Sequence, residues 1–137
     1  MKLDIAAKTA CAGTALAAAL LLTPAMAHHS SAMFDDEVEL TLSGVVTRFD
    51  YLNPHAWLYV NVQNDDGTHT EWGFELGAPP RLRRSGISPN FWQAGDAVTV
   101  KTNPLKDGRP AGSLGGAINA AGKTFGNASG LAPPAAD

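Results

Sequence analysis

Four histidines and a short row of aromatic and acidic residues are the side chains in this 137-residue sequence whose types and spacing could do chemistry. His28 and His29 are adjacent, His55 follows Asn53-Pro54, and His69 lies near Trp57, Tyr59, Glu71 and Glu75. A histidine at a free N-terminus carries an amine and an imidazole on one residue. That chelate suits Cu(II), which takes nitrogen ligands in tetragonal geometry. One more imidazole completes a three-nitrogen brace. His55 is the first candidate donor, because it opens a run after the Asn53-Pro54 turn and shares an alternation face with Trp57 and Tyr59. His29 is adjacent to His28 but strained as its partner, and His69 is the reserve.

This chemistry needs His28 to be the first residue of the mature chain. Residues 1–8 carry Lys2 and Lys8, residues 14–22 form a short apolar run, and Ala25-Met26-Ala27 has the small-x-small form of a signal-peptidase site. The sequence therefore predicts a signal peptide over residues 1–27 and a periplasmic or secreted product beginning at His28. No stretch approaches the ~20 apolar residues of a spanning helix, so no transmembrane anchor is expected in the mature chain. The single cysteine, Cys11, falls inside the leader, which leaves neither a disulfide nor a cysteine metal site. A plainer account of the terminus stands beside the chelate: Ala-His-His reflects a peptidase preference before a loose end, and His55 only caps its turn.

Loss of Lys2, Lys8 and Asp4 reduces the 10 basic and 13 acidic residues to 8 and 12, a net charge of −4 on the remaining 110 residues. Such a balance argues against a nucleic-acid partner, since backbone phosphates demand a concentrated positive field. The length suits one domain.

The elements that must position these groups have period two. Val38, Leu40 and Leu42 alternate with polar residues; Gly44 interrupts, and Val45, Thr47 and Phe49 continue on the other parity, which predicts one long strand over 37–50 bent at the glycine. Residues 55–63 put Ala56, Leu58, Val60 and Val62 on one face and His55, Trp57, Tyr59 and Asn61 on the other. Residues 68–76 put Trp72, Phe74 and Leu76 opposite His69, Glu71, Gly73 and Glu75. Gln63–Asn–Asp–Asp–Gly67 supplies a turn between them, so the two strands form a hairpin. A five-residue loop pairs Val62 with Thr68, and hence Tyr59 with Glu71, Trp57 with Gly73 and His55 with Glu75. Short helical turns follow in the proline-bearing 78–92 region, with Ser88 as an N-cap. Strands over 97–102 and 112–120 close the order, and residues 126–137 read as a flexible tail. A bent strand, a hairpin, a helical connection and two closing strands predict an all-β, OB-like Greek-key barrel of five to six strands over residues 28–125. Leu40, Leu58, Val60, Phe74, Val98 and Val100 are its expected core.

Ala-His-His-Ser-Ser-Ala-Met-Phe-Asp (27–35), Asn-Pro-His-Ala-Trp (53–57), Gly95-Asp96 with its alternating valines, and Pro-Leu-Lys-Asp-Gly (104–108) occur in this order. Together they resemble a family of small exported bacterial proteins known only as a domain of unknown function. Ser31 departs from the pattern, where an aromatic residue is expected. The resemblance implies a periplasmic protein and no particular activity.

The outer face of the hairpin is the other candidate site, since OB barrels bind ligands on strands two and three. It would present Trp57 and Tyr59 beside Glu71 and Glu75, a combination that stacks on a sugar or holds a cationic segment. The arm around Met33-Phe34 covering those rings is the simpler alternative. Catalysis has little support: no G-x-S-x-G elbow, H-E-x-x-H or cysteine nucleophile occurs. Glu71 and Glu75 would stand ~13 Å apart along a strand, too far for a glycosidase carboxylate pair. The sequence thus leaves a non-catalytic, exported copper-binding protein, or a metal-free adaptor or accessory module binding a protein or small ligand on the barrel face.

Overall fold

The computed structural model describes residues 31–135. The expected leader and the pair His28 and His29 lie outside the described residues. A 3-10 turn, Ser31–Met33, leads into β1 (Leu40–Asp50), the hairpin β2 (Trp57–Gln63) and β3 (His69–Glu75), helix α1 (Pro79–Arg84), β4 (Ala97–Pro104), β5 (Ala111–Asn119) and a short β6 (Thr124–Gly126).

β1 pairs antiparallel with both β2 and β4, β4 pairs with β5, and a parallel pairing of Gly73–Glu75 with Ala111–Ser113 joins β3 to β5. The circuit β1-β2-β3-β5-β4 is closed, with the helix between β3 and β4. This is an OB-like five-stranded barrel with β6 added at the edge of β5. Past Gly126 the chain stays against the sheet: the Asn127 amide donates to the Gly115 carbonyl at 2.9 Å, and Lys101 Nζ reaches the Ser129 carbonyl at 2.8 Å.

Alternation fills the barrel as expected. Leu58, Val60, Phe74, Val98 and Val100 are fully buried, with Val46 and Thr102 beside them. Leu40, expected in the core, is only half-buried, being the first residue of β1 where the ladder begins. Leu82, Ile87, Phe91 and Trp92, from the helix and the loop after it, close the other end of the core. Tyr51 Oη lies 2.9 Å from the carbonyl oxygens of both Pro79 and Ile87, which ties the β1–β2 loop to that plug. The helical region holds one helix, with proline at its start; Ser88 caps none, and instead its carbonyl accepts from the Phe91 amide in a turn.

Two local expectations are corrected. The parity of β1 changes not at Gly44 but between Val46 and Arg48, where Val46 faces Val60 and Arg48 faces Tyr59, leaving Thr47 as the extra residue of a bulge. Gly44 serves close approach instead: a Cβ there would come within 2.3 Å of the Asn61 carbonyl oxygen. The hairpin register is also displaced by two residues. Asn64 and Thr68 close the turn, with the Asn64 amide donating to the Thr68 carbonyl at 2.8 Å, so the ladder runs Gln63–His69, Asn61–Glu71, Tyr59–Gly73 and Trp57–Glu75. A slip of two keeps every side chain on its expected face.

Candidate functional site

The bulge decides what the outer face carries. By adding Thr47 it sends both Thr47 and Arg48 outward, toward the exposed side of the hairpin. The Arg48 guanidinium lies 3.5 Å from the centre of the Tyr59 ring and reaches Glu71 Oε1 at 3.4 Å, while Thr47 Oγ1 donates to Glu71 Oε2 at 2.8 Å. Tyr59 and then Asp50 hold the guanidinium above its ordinary pKa. Arg48 therefore caps Tyr59 and occupies Glu71. The alternation in β1 signalled a phase change, but its placement at Gly44 hid this arginine.

Trp57, half-buried like Tyr59, is the second ring of the platform. Its ring lies beside that of Tyr59, with centroids 6.3 Å apart and planes 27° from parallel. Both rings spread over Gly73, where a Cβ would stand 3.2 Å from Tyr59 Cε1 and 3.5 Å from Trp57 Cε3. Room for the indole thus comes from Gly73 as the sequence suggested, although Gly73 faces Tyr59 rather than Trp57.

His55 sits just before β2, after a cis Asn53–Pro54 peptide bond. With the corrected register it lies diagonally from Glu75 rather than opposite it, yet His55 Nδ1 and Glu75 Oε1 are hydrogen-bonded. A carboxylate accepts only, so Nδ1 carries a proton, and in the neutral imidazole Nε2 keeps its lone pair. Glu75 is 9% exposed, whereas the His55 side chain is 40% exposed. A buried carboxylate that orients a half-exposed imidazole is the arrangement found behind metal-binding histidines. His69 is not part of it: it pairs with Gln63 at the turn, six residues along β3 from Glu75, or about 20 Å.

Two clefts meet at the His55–Glu75 pair. One, of about 740 Å³, lies at the barrel end beside α1 and is lined by Ser31, Phe34, Arg81 and Phe125 among others. The other, of about 510 Å³, lies on the outer face and includes Met33, Trp57, Tyr59, Leu105, Arg109 and Pro110. Its walls are β2, β3 and the loops joining β1 to β2 and β4 to β5, the surfaces on which OB barrels bind ligands. Arg109 is paired with Asp107 at 2.8 Å, and its backbone amide and then its guanidinium hold that carboxylate below its ordinary pKa.

The N-terminal arm contributes Ser31 and Phe34 to the barrel-end cleft and Met33 to the cleft that holds Trp57 and Tyr59. Phe34 is buried and bridges to Leu105, the Asp35 amide donates to the Pro104 carbonyl at 2.8 Å, and the Lys106 amide donates to the Met33 carbonyl at 3.0 Å. Ser31 and Met33 are thereby fixed on opposite sides of the His55–Glu75 pair. Among the described residues no group of three or more His, Cys, Asp or Glu side chains is placed to hold a metal. His55 offers one nitrogen to these clefts.

A family model described as a family of unknown function, DUF6152, matches residues 16–114. The chain belongs to that family. No curated protein and no solved structure matches it. No helix among the described residues is long and apolar enough to cross a membrane.

Proposed function

We propose that this member of the family is an exported, non-catalytic copper-binding protein of the periplasm. Cu(II) is held by the amine and imidazole of His28, freed by cleavage after Ala27, and by Nε2 of His55. The observation that carries this reading is the course of the arm: Ser31, three residues after His28, lines the same cleft as His55. Three residues span at most about 10 Å, so a chain that begins at His28 would have its amine within about 10 Å of Ser31. Glu75 adds support, because it fixes the His55 ring and turns Nε2 away from the carboxylate. His29 is the neighbouring donor in this reading.

The test compares the processed protein with one carrying an extra alanine before His28. The extension keeps every imidazole but moves the amine off His28, so Cu(II) affinity is expected to fall and the paramagnetic resonance spectrum to change. The spectrum is needed because Ala-His-His can bind Cu(II) in another square-planar mode. Equal affinity with an unchanged spectrum rejects the brace.

A second reading is a metal-free adaptor that binds a protein or small ligand on the barrel face. The 510 Å³ cleft with its Trp57 favours it. Ligand capture by the metal-free protein, lost in Trp57→Ala and indifferent to chelators, would select this reading over copper.

A further inference from the structure

The donors that face the outer cleft divide by chemical hardness, and most of the hard ones are already engaged. Glu71 accepts from Thr47 and Arg48, and Oε1 of Glu75 is bound to His55, while Arg109, a cation and not a ligand, is paired with Asp107. The soft or borderline side-chain donors that line the cleft are Nε2 of His55 and the thioether of Met33. Met33 lines the cleft together with His55 and Trp57 and is 44% exposed, so core packing does not account for its position. Its backbone is nonetheless fixed, because the Lys106 amide donates to the Met33 carbonyl at 3.0 Å, Lys106 Nζ reaches the Ala32 carbonyl at 3.2 Å, and the adjacent Phe34 is buried. The arm presents a thioether to a cleft whose walls include Trp57, Leu105 and Pro110 as well as the charged Glu71, Glu75 and Arg109.

We infer that this cleft binds Cu(I), through the Met33 sulfur and His55 Nε2, with the Trp57 indole beside the cation. Thioethers are soft ligands that select Cu(I) and imidazole accepts either copper state, whereas hard cations such as Ca²⁺ or Mg²⁺ want about six oxygen ligands and the cleft offers only two carboxylates, both already hydrogen-bonded. An aromatic face next to a monovalent cation adds attraction. The inference rests on the copper function through the shared His55. One Nε2 binds one metal at a time, so Cu(I) held with Met33 and Cu(II) held with the N-terminal amine exclude each other at His55.

The test is an anaerobic competition titration of the processed protein with Cu(I), using Ag(I) as an air-stable probe, in parallel with a Cu(II) titration. Met33→Leu removes the sulfur at nearly constant volume and at an exposed position, so the thermal midpoint should not move. Loss of even an outer-shell group commonly costs about 10–100-fold in metal affinity, and loss of a direct ligand should lower Cu(I) affinity at least about tenfold more than Cu(II) affinity. His55→Ala is expected to weaken both. Unchanged Cu(I) and Ag(I) affinity in Met33→Leu overturns the site even if Cu(II) binds as proposed. Met33-dependent Cu(I) binding in a protein that ignores Cu(II) supports the site and rejects only the amine chelate.

Discussion

The two faces of β2 share one backbone and obey different rules. Inward, Leu58 and Val60 are fully buried against Phe74, and their only requirement is apolar volume. Outward, Trp57 and Tyr59 alternate with them, yet their surroundings are set by specific partners: Arg48 over Tyr59, Gly73 beneath both rings, and the His55–Glu75 pair at the strand's start. The inner face would tolerate other hydrophobes of similar size. On the outer face a buried carboxylate orients a half-exposed histidine, and nothing in the packing of the barrel requires that. The proposed copper site draws on the outer face and the barrel end next to it.

The sharpest way to break the contrast is to exchange the consequences of mutation between the faces. Phe74→Ala should cost about 3–5 kcal/mol of stability, as for other aromatic truncations in a core. Chemical denaturation would measure the loss, while copper affinity of the molecules still folded should stay unchanged. A large affinity change there would mean that the inner face also shapes the site.

Glu75→Gln tests the outer face with a smaller effect. The amide keeps the volume but cannot support the imidazole as a carboxylate does, so Cu(II) affinity is expected to drop about 10–100-fold. The denaturation midpoint should move far less than in Phe74→Ala. If stability falls and affinity does not, the His55–Glu75 pair is structural only.

The smallest effect belongs to the hairpin turn. The hydroxyl and then the amide of Thr68 donate to Asp66 and hold its carboxylate below its ordinary pKa. A depressed folded-state pKa stabilises the protein above the unfolded value, near 4, and that contribution disappears as pH falls through the lower folded value. Asp66→Asn should therefore flatten the acid limb of the stability–pH curve below about pH 4 and leave copper binding untouched. An identical acid limb in the variant would show that the turn contributes nothing through this charge.

Local pattern carried far into this molecule. The alternation at 57–62 and 69–76 identified both faces of the hairpin, and because the register error was two residues every face assignment survived it. Reading Asn64 as part of the loop rather than as Thr68's partner caused that error: a side-chain and backbone pairing at the turn cannot be told from a longer loop by residue types alone. The His55–Glu75 contact was legible from face and approximate register, even though it forms along a diagonal.

What the sequence by itself determined was the all-β class, the barrel order and the core residues of the central strands, because periodicity is a property of consecutive residues and burial follows it. Tertiary structure decided the rest. The bulge at Thr47 depends on how β1 meets β2 and β4 at once, and it alone put Arg48 over Tyr59. The parallel β3–β5 seam brought Pro110 and Arg109 up to the aromatic face, and the bridge from Phe34 to Leu105 fixed Met33 beside a histidine 22 positions away. Contacts of that kind are made between segments whose separation in sequence carries no signal of their distance in space, so only closure of the barrel could assemble them.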